Sequence, residues 1–176
     1  SMNDDIKNIL VSEEALKAKV AELGAQISRD YEGRNLVLVS ILKGSVVFMA
    51  DLMRAVTIPC SIDFMVVSSY GGSNTSSSGL VKIIKDLDGD LSGKDVLIVE
   101  DIVDTGESIE HMIKELEARN PASVEVCTLF FKPGSYRKTL PIKYRAMEIG
   151  NEFIVGYGLD YDQLGRSLKD IYVVTE

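Results

Sequence analysis

Cysteine, proline, histidine and tryptophan are all scarce in this sequence. Its 176 residues include two cysteines, four prolines, one histidine and no tryptophan. Cys60 and Cys127 each lie in an apolar run typical of a strand, so we expect two buried, reduced thiols, as in cytosolic proteins. A disulfide or a metal pair has little support, because no second cysteine or histidine is near either thiol in the sequence.

Long apolar runs and an excess of positive charge are also missing. No apolar run approaches the length of a membrane span, and no signal-peptide pattern opens the chain. The formal net charge of −8 argues against a sequence-independent nucleic-acid surface. We therefore expect a cytoplasmic protein that binds neither membrane nor nucleic acid. Any site for an anion must then be built locally, from helix ends, a few basic side chains and bound cations.

The pattern of apolar residues is that of one α/β domain over residues 1–176, which is close to a common domain size. Periodicity predicts helices over residues 12–30, 45–56 and 108–119, and strands over residues 36–42, 62–67, 81–84, 96–99, 124–131, 146–149, 153–157 and 171–174. The alternation of strands and helices indicates a mostly parallel sheet. The late strands, with little helix between them, suggest an antiparallel appendage.

The most informative stretch begins with four aliphatic residues, 96–99, followed by Glu100 and Asp101 and then by Asp104-Thr105-Gly106 before a helical pattern. Ligands of open α/β sheets bind where strands end and helices begin, and a helix N-terminus suits phosphate. The carboxylates would repel a bare phosphate, but they suit sugar hydroxyls or an accompanying metal ion. Residue types alone leave two interpretations open: a site for a phosphorylated sugar with a divalent cation, or a solvated loop with an aspartate cap.

Five motifs give this sequence a specific resemblance. Residues 96–106, Val-Leu-Ile-Val-Glu-Asp-Ile-Val-Asp-Thr-Gly, resemble the phosphoribosyl-diphosphate (PRPP) motif of type I phosphoribosyltransferases. The motifs at residues 42–45, 69–70, 99–106, 131–133 and 153–161 follow the order found in hypoxanthine (hypoxanthine-guanine) phosphoribosyltransferases, and Arg166 follows at the fitting distance. The resemblance runs from about residue 10 to the C-terminus.

This resemblance implies a fold and an activity. The fold would be the type I phosphoribosyltransferase fold, with a mostly parallel central sheet flanked by helices. A small hood from the N- and C-terminal segments would cover the base, and residues 69–80 would form a flexible lid that excludes water. The activity would be purine salvage, in which hypoxanthine, and also guanine, reacts with PRPP to give IMP or GMP and pyrophosphate. Mg²⁺ would be the cofactor, and the chain would form a homodimer or a homotetramer.

The resemblance also implies roles for the residues that bind PRPP. Backbone N–H groups of residues 104–108, including Glu107, would hold the 5′-phosphate together with the hydroxyls of Thr105 and Ser108, while Gly106 permits a close approach. Glu100 and Asp101 would face the ribose hydroxyls, directly or through Mg²⁺. Pyrophosphate would meet Lys43, Gly44, Ser69, Tyr70 and Arg166, with a cis peptide bond between Leu42 and Lys43. Without the resemblance, Lys43 could be no more than a solvated strand-end charge.

A second set of implied roles concerns the purine. Asp104 would be the general base at N7, in a desolvated site beside two carboxylates that would raise its pKa. Lys132 would donate to O6 and so exclude adenine, Phe153 would stack on the ring, and the Ile154 carbonyl would face position 2. Asp160 would hold a second Mg²⁺. Read alone, Lys132 could be a strand-end charge and Phe153 a core aromatic residue.

Three departures and two alternatives accompany the resemblance. Ser108 and Gly150 replace a common threonine and a frequent proline, and the surroundings of Arg166 match the family pattern least well. One alternative is a phosphoribosyltransferase that prefers xanthine or guanine, because backbone groups contact position 2. The other is a PRPP-sensing regulator on the same fold that binds nucleic acid, which the acidic charge disfavours.

Overall fold

The computed structural model describes residues 2–69 and 81–175. The helices are α1 (Met2–Asp5), α2 (Glu13–Asp30), α3 (Val46–Ala55) and α4 (Glu107–Glu117). The strands are β1 (Ile6–Val11), β2 (Leu36–Leu42), β3 (Cys60–Ser69), β4 (Val81–Lys85), β5 (Asp95–Val103), β6 (Ser123–Phe131), β7 (Tyr144–Glu148), β8 (Phe153–Val155) and β9 (Ile171–Val174). The predicted lid lies outside the described residues, apart from Ser69 at the end of β3.

A six-stranded sheet in the order β4-β3-β2-β5-β6-β7 forms the centre of the domain. All neighbouring strands in it are parallel except β3 and β4, so the predicted α/β fold with a mostly parallel sheet is confirmed. Strands β2 and β5 lie in the middle, where both faces of the sheet are covered, and this explains their aliphatic runs over residues 36–39 and 96–99.

Alternating side chains of the central strands supply two cores. Leu38, Leu97 and Val99 face one core, which includes buried residues of α2 and α3, such as Phe48. Val39 and Ile98 are the sequence neighbours of these residues, so their side chains point to the opposite face of the sheet. They face the other core, which α4 covers. Helices on both faces therefore fix the sheet, and the carboxyl ends of its parallel strands meet along one edge.

A second, three-stranded antiparallel sheet, β1-β9-β8, joins the two ends of the chain. The late strands were expected to form one antiparallel appendage together. That expectation was wrong for β7, which pairs in parallel with β6 and completes the central sheet. Strand β1 was not predicted, because Ile9 and Leu10 are both exposed and the segment lacks the alternation of a half-buried strand.

Two further expectations need correction. Strand β5 continues beyond the predicted residues 96–99 to Val103, because Val103 still pairs with Phe131 of β6. Glu100 and Asp101 therefore lie within a strand.

Cys127 is fully buried and burial raises the pKa of its thiol, but Cys60, at the start of β3, is only partly buried, so the expectation of two buried thiols is wrong for Cys60. Both cysteines are free. Within the described residues, no helix combines the length and apolar character that crossing a membrane requires.

The buried carboxylate of Asp63 fixes the loop between β4 and β5. It accepts hydrogen bonds from the backbone N–H groups of Phe64, Asp88 and Gly89, at 2.8 to 3.2 Å. Burial alone would raise the pKa of Asp63, but these hydrogen bonds and the charge of Lys85 outweigh it, so the pKa lies below its ordinary value.

We expect Asp63→Asn to lower the free energy of unfolding at pH 7 by about 1–3 kcal/mol, because the amide places N–H groups against backbone donors. A depressed pKa means that the ionised carboxylate stabilises the fold above about pH 3.9, the ordinary value, and that this contribution disappears as the pH falls through the folded-state pKa. The difference between wild type and variant should therefore shrink on acidification. Urea unfolding at pH 7 and at a pH below the folded-state pKa of Asp63 measures it. An equal difference at pH 7 and below the folded-state pKa would contradict the assignment.

Candidate active site

Most of the candidate residues lie at or just after the carboxyl ends of strands β2, β5 and β6, which meet at one edge of the central sheet. Lys43 and Gly44 follow β2, and the predicted cis peptide bond between Leu42 and Lys43 is present. The backbone of Gly44 lies directly against the Asp101 carboxylate of β5, so a Cβ atom at position 44 would collide with it. The structure thus brings together two candidate residues that are far apart in the sequence.

The turn between β5 and α4 surrounds a cavity of about 150 Å³, lined by Glu100, Ile102, Val103, Asp104, Thr105, Gly106, Ser108 and Ile109. Gly106 precedes the helix with φ of 93°, a conformation that favours glycine. The Thr105 Oγ1 atom accepts from the Glu107 N–H at 3.3 Å, so this N–H group, expected to face phosphate, has a partner within the protein.

Glu100 and Asp101 form an acidic pair whose charges are poorly compensated. Burial raises the pKa of Glu100 well above its usual range, and the charge of Asp101 raises it further. Burial also raises the pKa of Asp101, although the Ile102 N–H group, 2.7 Å away, and the charge of Arg166 act in the opposite direction. A bound cation, or hydroxyl donors from a sugar, would stabilise the ionised form of both carboxylates.

Asp104 and Lys132 face each other across the ends of β5 and β6. The Lys132 Nζ atom lies 3.9 Å from the Asp104 Oδ2 atom, and the Lys132 N–H group donates to the Val103 carbonyl. The desolvation expected around Asp104 is not found: its side chain is 55% exposed, because it lies in the turn at the mouth of the cavity. A general base here must lose solvent when substrate binds.

A separate cavity of about 250 Å³ lies between the three-stranded sheet and the loop that follows β8. Its walls are Phe153, Ile154, Asp160, Tyr161, Val174 and Thr175. The Phe153 side chain is 60% exposed, which contradicts the alternative that it is a core aromatic residue. Tyr161 donates to Asp5 at 2.6 Å, so the N-terminal segment fixes one wall of this cavity.

Arg166 makes its contacts within this loop. Its guanidinium donates to the Gly158 carbonyl at 2.9 Å and lies 3.8 Å from the Asp160 carboxylate. A Cβ atom at Gly158 would approach the Gly44 carbonyl to 2.8 Å. Arg166 and Asp160 therefore lie on a loop that packs against Gly44, as a shared site requires.

Not every candidate residue joins this arrangement. Tyr70 lies outside the described residues, and only the backbone of Ser69 is described.

Across residues 2–69 and 81–175, no three His, Cys, Asp or Glu side chains are close enough to hold a metal ion by themselves. A cavity of about 280 Å³ between α2 and α3, lined by Lys17, Asp51 and Arg54 among others, contains none of the candidate residues.

Sequence reasoning missed two contacts that support the site. The buried Tyr157 donates to Asp51 of α3 at 2.5 Å and so ties the loop after β8 to the helix that follows Gly44. Lys138 forms ion pairs with two glutamates at the start of α4. A buried tyrosine and a lysine in a polar loop carry no periodic signal, so neither stood out in the sequence.

The contact between Gly44 and Asp101 leads to a direct prediction. If PRPP is the substrate, as the resemblance implies, we expect Gly44→Ala to lower kcat/KM for PRPP by roughly tenfold or more. The new methyl group would displace the Asp101 carboxylate, and misplacement of about 1 Å can cost 100-fold. The matched control is Gly134→Ala, where a Cβ atom meets nothing within 4 Å. Steady-state kinetics with varied PRPP tests both variants. Equal kcat/KM for Gly44→Ala and wild type would show that this contact does not matter.

Comparisons with known proteins agree with this geometry. A family model described as "Phosphoribosyl transferase domain" matches residues 7–162. The chain therefore belongs to the phosphoribosyltransferase family. A hypoxanthine-guanine phosphoribosyltransferase of Mycobacterium tuberculosis is 49% identical over 173 residues, covering 95% of this chain and 85% of the relative.

Two further relatives cover nearly the whole chain. A hypoxanthine phosphoribosyltransferase of Haemophilus influenzae is 48% identical over 164 residues, covering 92% of this chain and 91% of the relative. The crystal structure of a hypoxanthine phosphoribosyltransferase from Staphylococcus aureus superposes with a TM-score of 0.93 at 45% identity, covering 99% of this chain and 94% of that one. The type I phosphoribosyltransferase fold is thereby confirmed.

Proposed function

We propose that this chain is a purine salvage enzyme that transfers the phosphoribosyl group of PRPP to N9 of hypoxanthine and guanine. The products are IMP or GMP and pyrophosphate. The observation that carries the proposal is the pairing of Asp104 with Lys132 beside the acidic pair of β5, in a chain whose full-length relatives are named for this activity.

The turn between β5 and α4 binds the 5′-phosphate in this proposal. Thr105 and Ser108 provide hydroxyl groups, and Gly106 lets the backbone approach the ligand. Glu100 and Asp101 receive the ribose hydroxyls, and this supplies hydrogen-bond donors to carboxylates that the fold compensates poorly. PRPP is thus held at both ends of its ribose ring, which orients C1 towards the base.

The purine binds between the strand ends and the hood. Phe153 offers an exposed ring for stacking, and the Lys132 ammonium donates to O6, while the Ile154 carbonyl faces position 2. Asp104 accepts the proton from N7 as the bond between N9 and C1 forms and the bond from C1 to pyrophosphate breaks. The incoming purine removes water from around Asp104 and makes its carboxylate a better base.

Mg²⁺ fits the side chains that surround PRPP in this arrangement. Glu100, Asp101 and Asp160 provide carboxylate oxygens, the ligands that Mg²⁺ prefers, and phosphate and hydroxyl oxygens of the substrate would complete each site. When bound, the ion neutralises the pyrophosphate leaving group and helps to orient PRPP.

Pyrophosphate leaves towards the loop after β2. Lys43, the backbone of Gly44 and the Arg166 guanidinium surround this side of the site, and a guanidinium suits bidentate bonding to phosphate oxygens. Ser69 and Tyr70 cover the leaving group in the family pattern, and we extend that role to this chain with the lid over residues 69–80.

We further propose that the chain forms a homodimer or a homotetramer in the cytoplasm. Two free cysteines suit a reducing compartment. Val46 and Met53 are apolar residues exposed on α3 and are candidates for a contact between subunits.

An ultraviolet assay with PRPP and Mg²⁺ tests the function, with hypoxanthine, guanine, xanthine and adenine offered separately. We expect turnover of hypoxanthine and guanine and none of adenine. Turnover limited to xanthine or guanine would favour the alternative specificity. No turnover with any base, in a protein that still binds PRPP, would contradict the proposal of an enzyme and favour the alternative of a PRPP-sensing regulator.

A further inference from the structure

Residues 135–138 form a strap that lies against the turn between β5 and α4. The Arg137 N–H group donates to the Thr105 carbonyl at 3.0 Å. A Cβ atom at Gly106 would lie 2.6 Å from the Tyr136 ring and 2.8 Å from the Lys138 side chain, so both side chains cover this glycine closely. Tyr136 is itself anchored, because its ring packs edge-on against Phe131. The strap is therefore an ordered wall behind the turn.

The first turn of α4 carries two negative charges beside this wall. The Lys138 Nζ atom lies 2.9 Å from a Glu107 carboxylate oxygen and 3.1 Å from one of Glu110. The bonds to Glu107 and Glu110 raise the pKa of Lys138, and the bond to Lys138 lowers the pKa of Glu110. One lysine therefore faces two carboxylates at the helix start.

These charges matter for a phosphate ligand. The start of a helix attracts an anion through its free N–H groups and its dipole, whereas carboxylates in the same turn repel a second anion. A phosphate monoester carries nearly two negative charges at neutral pH. With Glu107 and Glu110 uncompensated, the attraction of the helix start would be largely cancelled.

We propose that Lys138 is a positioning residue for the 5′-phosphate, which compensates Glu107 and Glu110 and holds the strap against Gly106. This inference rests on the proposed function, because it takes the phosphate to bind at the start of α4. Lys138 acts through the two glutamates and the turn, without touching the substrate. Its effect is therefore specific for ligands that carry a 5′-phosphate.

The test compares IMP with inosine, which lacks the phosphate, in equilibrium binding to wild type and to Lys138→Met. Methionine keeps the apolar stem over Gly106 and removes the charge. We expect IMP to bind roughly three- to tenfold more weakly and inosine to bind as before. Adding Glu107→Gln to Lys138→Met should restore most of the loss, and Glu107→Gln alone should bind IMP more tightly than wild type. Lys19→Met, at an exposed lysine of α2, is the matched control.

Distinct results would overturn distinct claims. If wild type binds IMP no better than inosine, the placement of the phosphate fails, and the proposed function with it. If wild type prefers IMP but Lys138→Met weakens IMP and inosine equally, or weakens neither, only the role of Lys138 fails. A loss that Glu107→Gln does not restore would also reject charge compensation. Should Lys138→Met not fold, Glu107→Gln alone decides, since unchanged IMP affinity would contradict the proposal.

Discussion

Asp104→Asn is expected to lower the rate of the chemical step with hypoxanthine by about 10² to 10⁴-fold, the usual contribution of a general base. Asparagine has the same shape but cannot take the N7 proton. Because the Asp104 side chain is 55% exposed and belongs to a turn, the substitution should leave the fold unchanged. The affinity for PRPP should change by only a few fold, since Asp104 acts on the base.

Single-turnover kinetics are the right measurement, because slow product release would hide a change in chemistry from kcat. The matched control is Asp90→Asn, an exposed aspartate in the loop before β5. Wild type and control should react at the same rate. An Asp104→Asn variant with an undiminished single-turnover rate would remove Asp104 from the role of base and leave the site with orientation and charge stabilisation alone.

Lys132→Ala is expected to lower kcat/KM for hypoxanthine by roughly 100-fold, the scale of a lost hydrogen bond from a charged group. The larger change concerns specificity. Lys132 can only donate, so it favours an O6 acceptor and opposes the 6-amino group of adenine. Without Lys132, the ratio of kcat/KM for hypoxanthine over adenine should fall sharply, because the penalty against adenine disappears together with the bond to hypoxanthine.

The neighbouring carboxylate complicates a simple interpretation of Lys132→Ala. Lys132 lies 3.9 Å from Asp104, so its removal also changes the surroundings of the base. That effect applies to every purine, whereas recognition of O6 does not, and the ratio between the two bases separates them. Lys169→Ala, at an exposed lysine in the C-terminal region, is the control. A Lys132→Ala variant that still rejects adenine and keeps its kcat/KM would refute the recognition role.

The best-predicted elements are those whose local sequence pattern identifies them without knowledge of the segments they pack against. Leu36–Leu42 and Ile171–Val174 have the predicted bounds, because a buried aliphatic run between polar breaks is distinctive. The order of Glu100, Asp101 and Asp104 before a helix left two interpretations open, a site for a phosphorylated sugar or a solvated loop with an aspartate cap. Only the resemblance implied that the ligand is a purine, since Lys132 could be a strand-end charge and Phe153 a core aromatic residue.

What the sequence could not show depends on contacts between distant segments. The extension of β5 through the acidic pair follows from pairing with β6, and the place of β7 follows from the same neighbour. The exposure of Asp104 follows from the shape of the cavity mouth. The proposed role of Lys138 in positioning the phosphate depends on its contact with Glu107, which lies 31 residues earlier in the sequence.

The most direct test of the account is a crystal structure of the protein with bound IMP. We expect the phosphate at the turn between β5 and α4, O6 within hydrogen-bond distance of the Lys132 ammonium, N7 facing Asp104, and the purine ring against Phe153. A nucleotide bound in the cavity between α2 and α3, near Lys17 and Arg54, would contradict the account, because neither the turn nor Lys132, Asp104 and Phe153 could then take part.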